Sequence, residues 1–233
     1  MTEAYLSPLW ISLRTVLVAT AITFCLGIAA ARWMARYSGR FKYLIDGLFI
    51  LPLVLPPTVV GLGLLLAFGK HGPLGQFLDL FGATIVFSWP ATVISAVVMS
   101  FPLMYMTSRG AFEQVDPNIE DAAKTLGASG WKVFWTVTLP LAWPGVAAAT
   151  ILALARSLGE FGATLMLAGN IPGKTATIPV AIYFSIQAGD MNQALILVGI
   201  VLVIAFGALA AIAYWKGKAY KVRKPVTSHE NVD

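Results

Sequence analysis

The chain has 233 residues, of which 58% are apolar and 12% charged, against roughly 45–50% and 25% in soluble domains. So apolar a composition disfavours a soluble enzyme, a nucleic-acid binder and a disordered chain. The formal net charge of +5 fits basic loops beside a membrane better than a face for polyanions.

Crossing a hydrocarbon core about 30 Å thick takes about 20 apolar residues. By that measure the sequence predicts an all-α integral membrane protein with five spans, at about 9–35, 45–69, 83–108, 139–168 and 191–215. They form one domain, 1–223, followed by a cytoplasmic tail, 224–233, expected to be disordered. The first span has no basic cluster before Arg14, and its bases follow it, which marks a retained anchor and not a cleaved signal. Cys25 lies within it and is the single cysteine, so no intrachain disulfide can form.

The second span holds Pro52, Pro56 and Pro57, the third Pro90 and Pro102, and the fourth begins with Pro140 and Pro144. Interior prolines remove a backbone bond and bend the helix, which predicts packing kinks or a lined pathway. The fourth span carries Arg156 and Glu160 at i and i+4, able to meet on one face, with Ser157 beside them. Bases gather after spans one (Arg32, Arg36, Arg40, Lys42), three (Arg109, Lys124, Lys132) and five (Lys216, Lys218, Lys221, Arg223, Lys224). The positive-inside rule then puts the amino terminus outside and the carboxyl terminus in the cytoplasm.

Between spans three and four lies a polar loop, about 113–130, on the predicted cytoplasmic side. Asp116 can cap a short helix, Pro117 suits its first position and Gly127 its left-handed end. Glu120 and Lys124 are expected on its wet face. Ile119, Ala122, Ala123 and Leu126 form an apolar stripe centred on two alanines, so close approach by another surface is expected there.

Asp121-Ala122-Ala123, three residues, Gly127, nine residues, then Val137-Thr138-Leu139-Pro140 resembles the coupling loop of ABC importer permeases, usually Glu-Ala-Ala, Gly and Ile-x-Leu-Pro at the same spacing. Asp121 and Val137 are mild departures, and Glu120 is placed to supply the longer carboxylate. Leu51 to Pro57, Phe87-Ser88-Trp89, Met99 to Met104, Ala155 to Thr164 and Gly169-Asn170-Ile171-Pro172-Gly173 resemble the molybdate branch of that family, with sulfate and thiosulfate permeases close by. The resemblance implies a type I permease bundle in a bacterial inner membrane that works as a homodimer. It implies two cytoplasmic ATPase subunits docked on the loop helix through Glu120, Asp121, Ala122, Ala123, Leu126 and Gly127. It further implies a periplasmic oxyanion-binding protein delivering molybdate or tungstate. Arg156, Ser157 and Glu160 are the candidate pathway residues, in either a structural or an anion-contacting role.

No cofactor, metal site or catalytic set is expected in this chain. Ala168 to Thr175 matches a relaxed phosphate-loop pattern, but it lacks the preceding strand and following helix that aim a phosphate loop. His71 and His229 stand alone without metal-ligand spacing. A channel or ion-coupled carrier would call for intramembrane carboxylates and repeated halves, whereas only Glu160 lies deep. A purely structural membrane subunit is the remaining reading.

Overall fold

The structure, a computed structural model, describes the backbone of residues 2–222 and the side chains of residues 6–207. The tail at 224–233 and the bases from Lys216 onward lie outside the described side chains. Among the described residues eleven α-helices follow one another: α1 Thr2–Arg36, α2 Lys42–Val54, α3 Pro57–Phe68, α4 Pro73–Asp79, α5 Trp89–Glu113, α6 Pro117–Thr125, α7 Gly130–Val133, α8 Leu139–Leu158, α9 Gly162–Ala168, α10 Ile178–Gln187 and α11 Met191–Val222, with a π-helical turn at Phe134–Thr138 before α8.

The core is built on a seam between α1 and α5, against which α8 packs Val146, Ala149 and Ala153. Thr15 hydrogen-bonds Thr92 at 2.9 Å, and eight residues on, Thr23 hydrogen-bonds Ser100 at 3.1 Å. Equal advance along both helices means that they run parallel. Between these pairs Ala19 and Ala96 share a buried cluster, and beyond them a Cβ on Gly27 would stand 2.5 Å from Cγ of Met104. Small residues every fourth position let the backbones close up, and buried hydroxyls find partners across the interface.

Because α1 and α5 are parallel, the chain between them must return to its starting side. Helices α2 and α3 make that return as one broken span, bent by 111°. The expected single helix is interrupted because Leu55, preceding Pro56, is driven to extended geometry (ψ 145°). Pro57 then starts α3, where its missing amide costs nothing. The fourth span is broken too. α8 stops at Leu158, and α9 begins at Gly162.

The two breaks meet. A Cβ on Gly61 of α3 would lie 2.8 Å from Cα of Ala163, and one on Gly162 would lie 2.9 Å from Cβ of Pro57. Irregular backbone at membrane depth requires such burial within protein.

Candidate functional site: the α6 loop and the break in the fourth span

Helix α6 forms where the local signals predict it. The Asp116 carboxylate accepts from the Asn118 amide at 2.9 Å, Pro117 opens the helix, and Gly127 takes the left-handed conformation at φ +83°. None of its residues is buried. Ile119 is 47% exposed and Leu126 89%, and Ala122 is exposed beside a half-buried Ala123, so much of its apolar stripe stays open among the described residues.

Glu120 departs from the expected wet-face pairing with Lys124. Lys124 instead bonds Asp121 at 2.7 Å, and the Glu120 side chain turns inward, leaving it 12% exposed. One carboxylate oxygen accepts from Thr138 Oγ1 and from Arg32 Nη1 at 3.3 Å, while the other meets Arg36 Nη2. The arginines, four residues apart on the last turns of α1, present one face. Arg32 is steadied further by the Phe134 ring, 5.0 Å from its guanidinium carbon. Burial opposes ionisation of Glu120, but the Thr138 hydroxyl and the two guanidiniums outweigh it and hold its pKa below the ordinary value of 4.5. The outward carboxylate is that of Asp121, 68% exposed, and its bond to Lys124 lowers its pKa as well.

Thr138 reaches Glu120 from the π-helical turn, in which the Leu139 amide bonds the Phe134 carbonyl. Pro140 follows with no amide to donate, so the Leu-Pro of the loop motif sits where the ladder widens.

A second ionic group at the same end of the bundle has no counterpart among the sequence expectations. Arg109 of α5 pairs with Asp46 of α2 and, at 2.7 Å, with Glu113, while the Tyr105 hydroxyl donates to Asp46 at 2.5 Å. Phe49 packs edge-on to Tyr105 and Phe101 above it. Arg109 and Glu113 stand at i and i+4 and are legible as a pair; Asp46, 63 residues away, is not.

Arg156 and Glu160 meet as expected, Nη1 to Oε2 at 2.8 Å. The contact is close but poorly aligned for a hydrogen bond. The other Glu160 oxygen accepts from the Ala163 amide at 2.8 Å, so this carboxylate also caps α9 across the break. Ser157 and Glu160 line a void of about 10 Å³ with Ser12, Thr15, Thr164 and Thr177. The stretch 168–175 is a turn closed on itself, with Thr175 Oγ1 accepting from the Ile171 amide at 3.0 Å.

The family described as binding-protein-dependent transport system inner membrane component matches residues 24–215, and this chain belongs to it. It is 45% identical over 203 residues to the putative molybdenum transport system permease protein YvgM of Bacillus subtilis (strain 168), covering 87% of this chain and 89% of that one. Over 188 residues it is 48% identical to the molybdenum transport system permease protein ModB of Escherichia coli (strain K12), covering 80% and 82%. Among solved structures it is similar to a bacterial ABC transporter involved in the import of the acidic polysaccharide alginate, with a TM-score of 0.69 at 16% identity over 96% of this chain and 80% of that one. The fold is that of type I ABC importer permeases.

Proposed function

We propose that this chain is the membrane-spanning subunit of an ATP-driven importer that carries molybdate or tungstate across a bacterial inner membrane. The observation that carries the transport reading is α6, a capped helix that buries none of its residues and leaves much of its apolar stripe open. A helix of about nine residues gains little alone, so a docked partner is the physical reason for that stripe. The partner is a cytoplasmic ABC ATPase, held by Ala122, Ala123 and Leu126 with Asp121 at the rim. Gly127 ends the helix so that this face is presented. The cargo rests on the extent and level of identity to the molybdenum permeases of the two bacteria.

One loop helix per chain and two equivalent sites on an ATPase dimer call for a symmetric pair of permease chains. The amino terminus then lies in the periplasm, where a binding protein delivers the anion, and the carboxyl terminus in the cytoplasm. Arg156 and Glu160 hold the break in the fourth span together, with Ser157 beside them in the void.

The test is reconstitution of the chain with its ATPase in vesicles and addition of binding protein loaded with molybdate or with sulfate. Molybdate should accumulate only with ATP, and the complex should weigh two permeases plus two ATPases. Accumulation without the ATPase would refute the importer reading, equal uptake from the sulfate-loaded protein would refute the cargo, and a single permease per complex would refute the pairing.

A further inference from the structure

Helix α6 buries none of its residues, yet it is not loose. Among the described residues, its polar contacts with α1 and with the turn before α8 all pass through Glu120. Its other side-chain bonds are local. Asp116 holds Asn118, Lys124 holds Asp121, and the Thr125 hydroxyl donates to the Asp121 carbonyl. A carboxylate with three donors, two of them guanidiniums, is a strong and directional attachment. Only 12% of the side chain is exposed, so it has little surface left for an outside partner. Asp121, at the neighbouring position, has an exposed side chain that can face one.

What Glu120 grips matters as much. Arg32 and Arg36 belong to the last turns of α1, the helix that runs parallel to α5 along the seam of hydroxyl pairs and small residues. Close-packed helices do not deform continuously, so displacement of one end is carried along the element.

We infer that Glu120 is a positioning residue that fastens the loop helix to the cytoplasmic end of α1, so that force on α6 moves α1 and the α5 packed along it. The inference rests on the reading that α6 docks on an ATPase. The loop's two adjacent carboxylates then have different roles, Asp121 facing the partner and Glu120 facing the membrane bundle.

Two measurements test it. In the purified chain alone, Glu120→Gln keeps the size of the side chain but removes both ion pairs, and hydrogen exchange of the 118–125 amides should speed up while that of the α1/α5 seam stays constant. Unchanged exchange at 118–125 would overturn the attachment, whether or not an ATPase docks there. In the reconstituted complex, Glu120→Gln should still co-purify with the ATPase, and anion uptake per ATP hydrolysed should fall about 2- to 30-fold. Arg32→Gln with Arg36→Gln should give the same loss, and adding Glu120→Gln to that pair should deepen it no further. Losses that multiply, or uptake per ATP equal to that of the unaltered chain, would overturn the inference. So would release of the ATPase by Glu120→Gln, because that would put Glu120 on the docking face. Ala123→Trp separates the two ideas: if it leaves the ATPase bound and uptake normal, the docking reading fails, and the exchange experiment alone judges the attachment.

Discussion

Gly61 and Gly63 lie two residues apart inside α3, and the structure assigns opposite outcomes to the same substitution in each. A Cβ on Gly61 would stand 2.8 Å from Cα of Ala163, 2.8 Å from Cβ of Met166 and 3.1 Å from its Cγ, whereas one on Gly63 would meet nothing within 4 Å. Replacing glycine by alanine in a helix interior gains about 0.5–1 kcal/mol at either position. Overpacking costs about 1–3 kcal/mol, and only at Gly61. Gly63→Ala should therefore stabilise the chain slightly, and Gly61→Ala should be neutral to about 2.5 kcal/mol destabilising. Their difference cancels the helix term and isolates the steric one, about 1–3 kcal/mol, or roughly 5- to 150-fold in the unfolding equilibrium constant. The assay is reversible unfolding of the detergent-solubilised chain by increasing SDS, followed by tryptophan fluorescence. Met166→Ala should not rescue Gly61→Ala, because the Ala163 backbone atom and the residue 166 Cβ both remain. Gly61→Ala proving as stable as Gly63→Ala would refute the close crossing of α3 and α9, and with it the meeting of the two breaks.

Removing one member of the Arg156–Glu160 pair should cost more when the arginine goes. The Glu160 side chain is 2% exposed and that of Arg156 23%, so Arg156→Gln strands a buried carboxylate at about 3–5 kcal/mol; Glu160→Gln leaves a partly hydrated guanidinium and should cost less, and SDS unfolding giving the reverse order would contradict the burial. Exchanging the two residues should not restore abundance on immunoblots, because an arginine at 160 cannot accept from the Ala163 amide. Ala123→Trp should release the ATPase in co-purification while the membrane bundle unfolds at the same SDS concentration as before. The depressed pKa of Glu120 means that its attachment is complete at neutral pH, survives to about pH 4.5 and is lost as pH falls through the lowered value; exchange at 118–125, corrected for intrinsic rates, should show this acid limb, and Glu120→Gln should abolish it.

The loop helix is legible in the sequence because its signals are local. A cap at Asp116, proline at its first position and glycine at its end each act within one turn, and the structure has all three. Arg156 and Glu160 are legible for the same reason, being one turn apart. The turning of Glu120 toward α1 is not, because helical spacing offers Lys124 as a partner and says nothing of distant arginines. Only tertiary placement of residues 32 and 36, more than eighty positions earlier, decides between them. Asp46 with Arg109 is the same case. The prolines announce a disturbance in the second span, but the angle of 111° depends on what α3 packs against.

That packing also explains why two costly interruptions persist in one bundle. A break in a membrane helix frees carbonyls and amides that lipid cannot satisfy. At the fourth span the Ala163 amide is met by Glu160, whose charge is in turn balanced by Arg156. At the second, Pro56 and Pro57 have no amides to leave unpaired, and the Leu55 amide still reaches the Leu51 carbonyl at 3.1 Å. Each break thus limits the amides it leaves unpaired, and glycines 61 and 162 let the two breaks touch. The parallel seam of α1 and α5 has the opposite character, with unbroken helices locked by hydroxyl pairs at fixed register. The bundle thus combines one continuous seam with two jointed spans, and Glu120 fastens the loop helix to the continuous part.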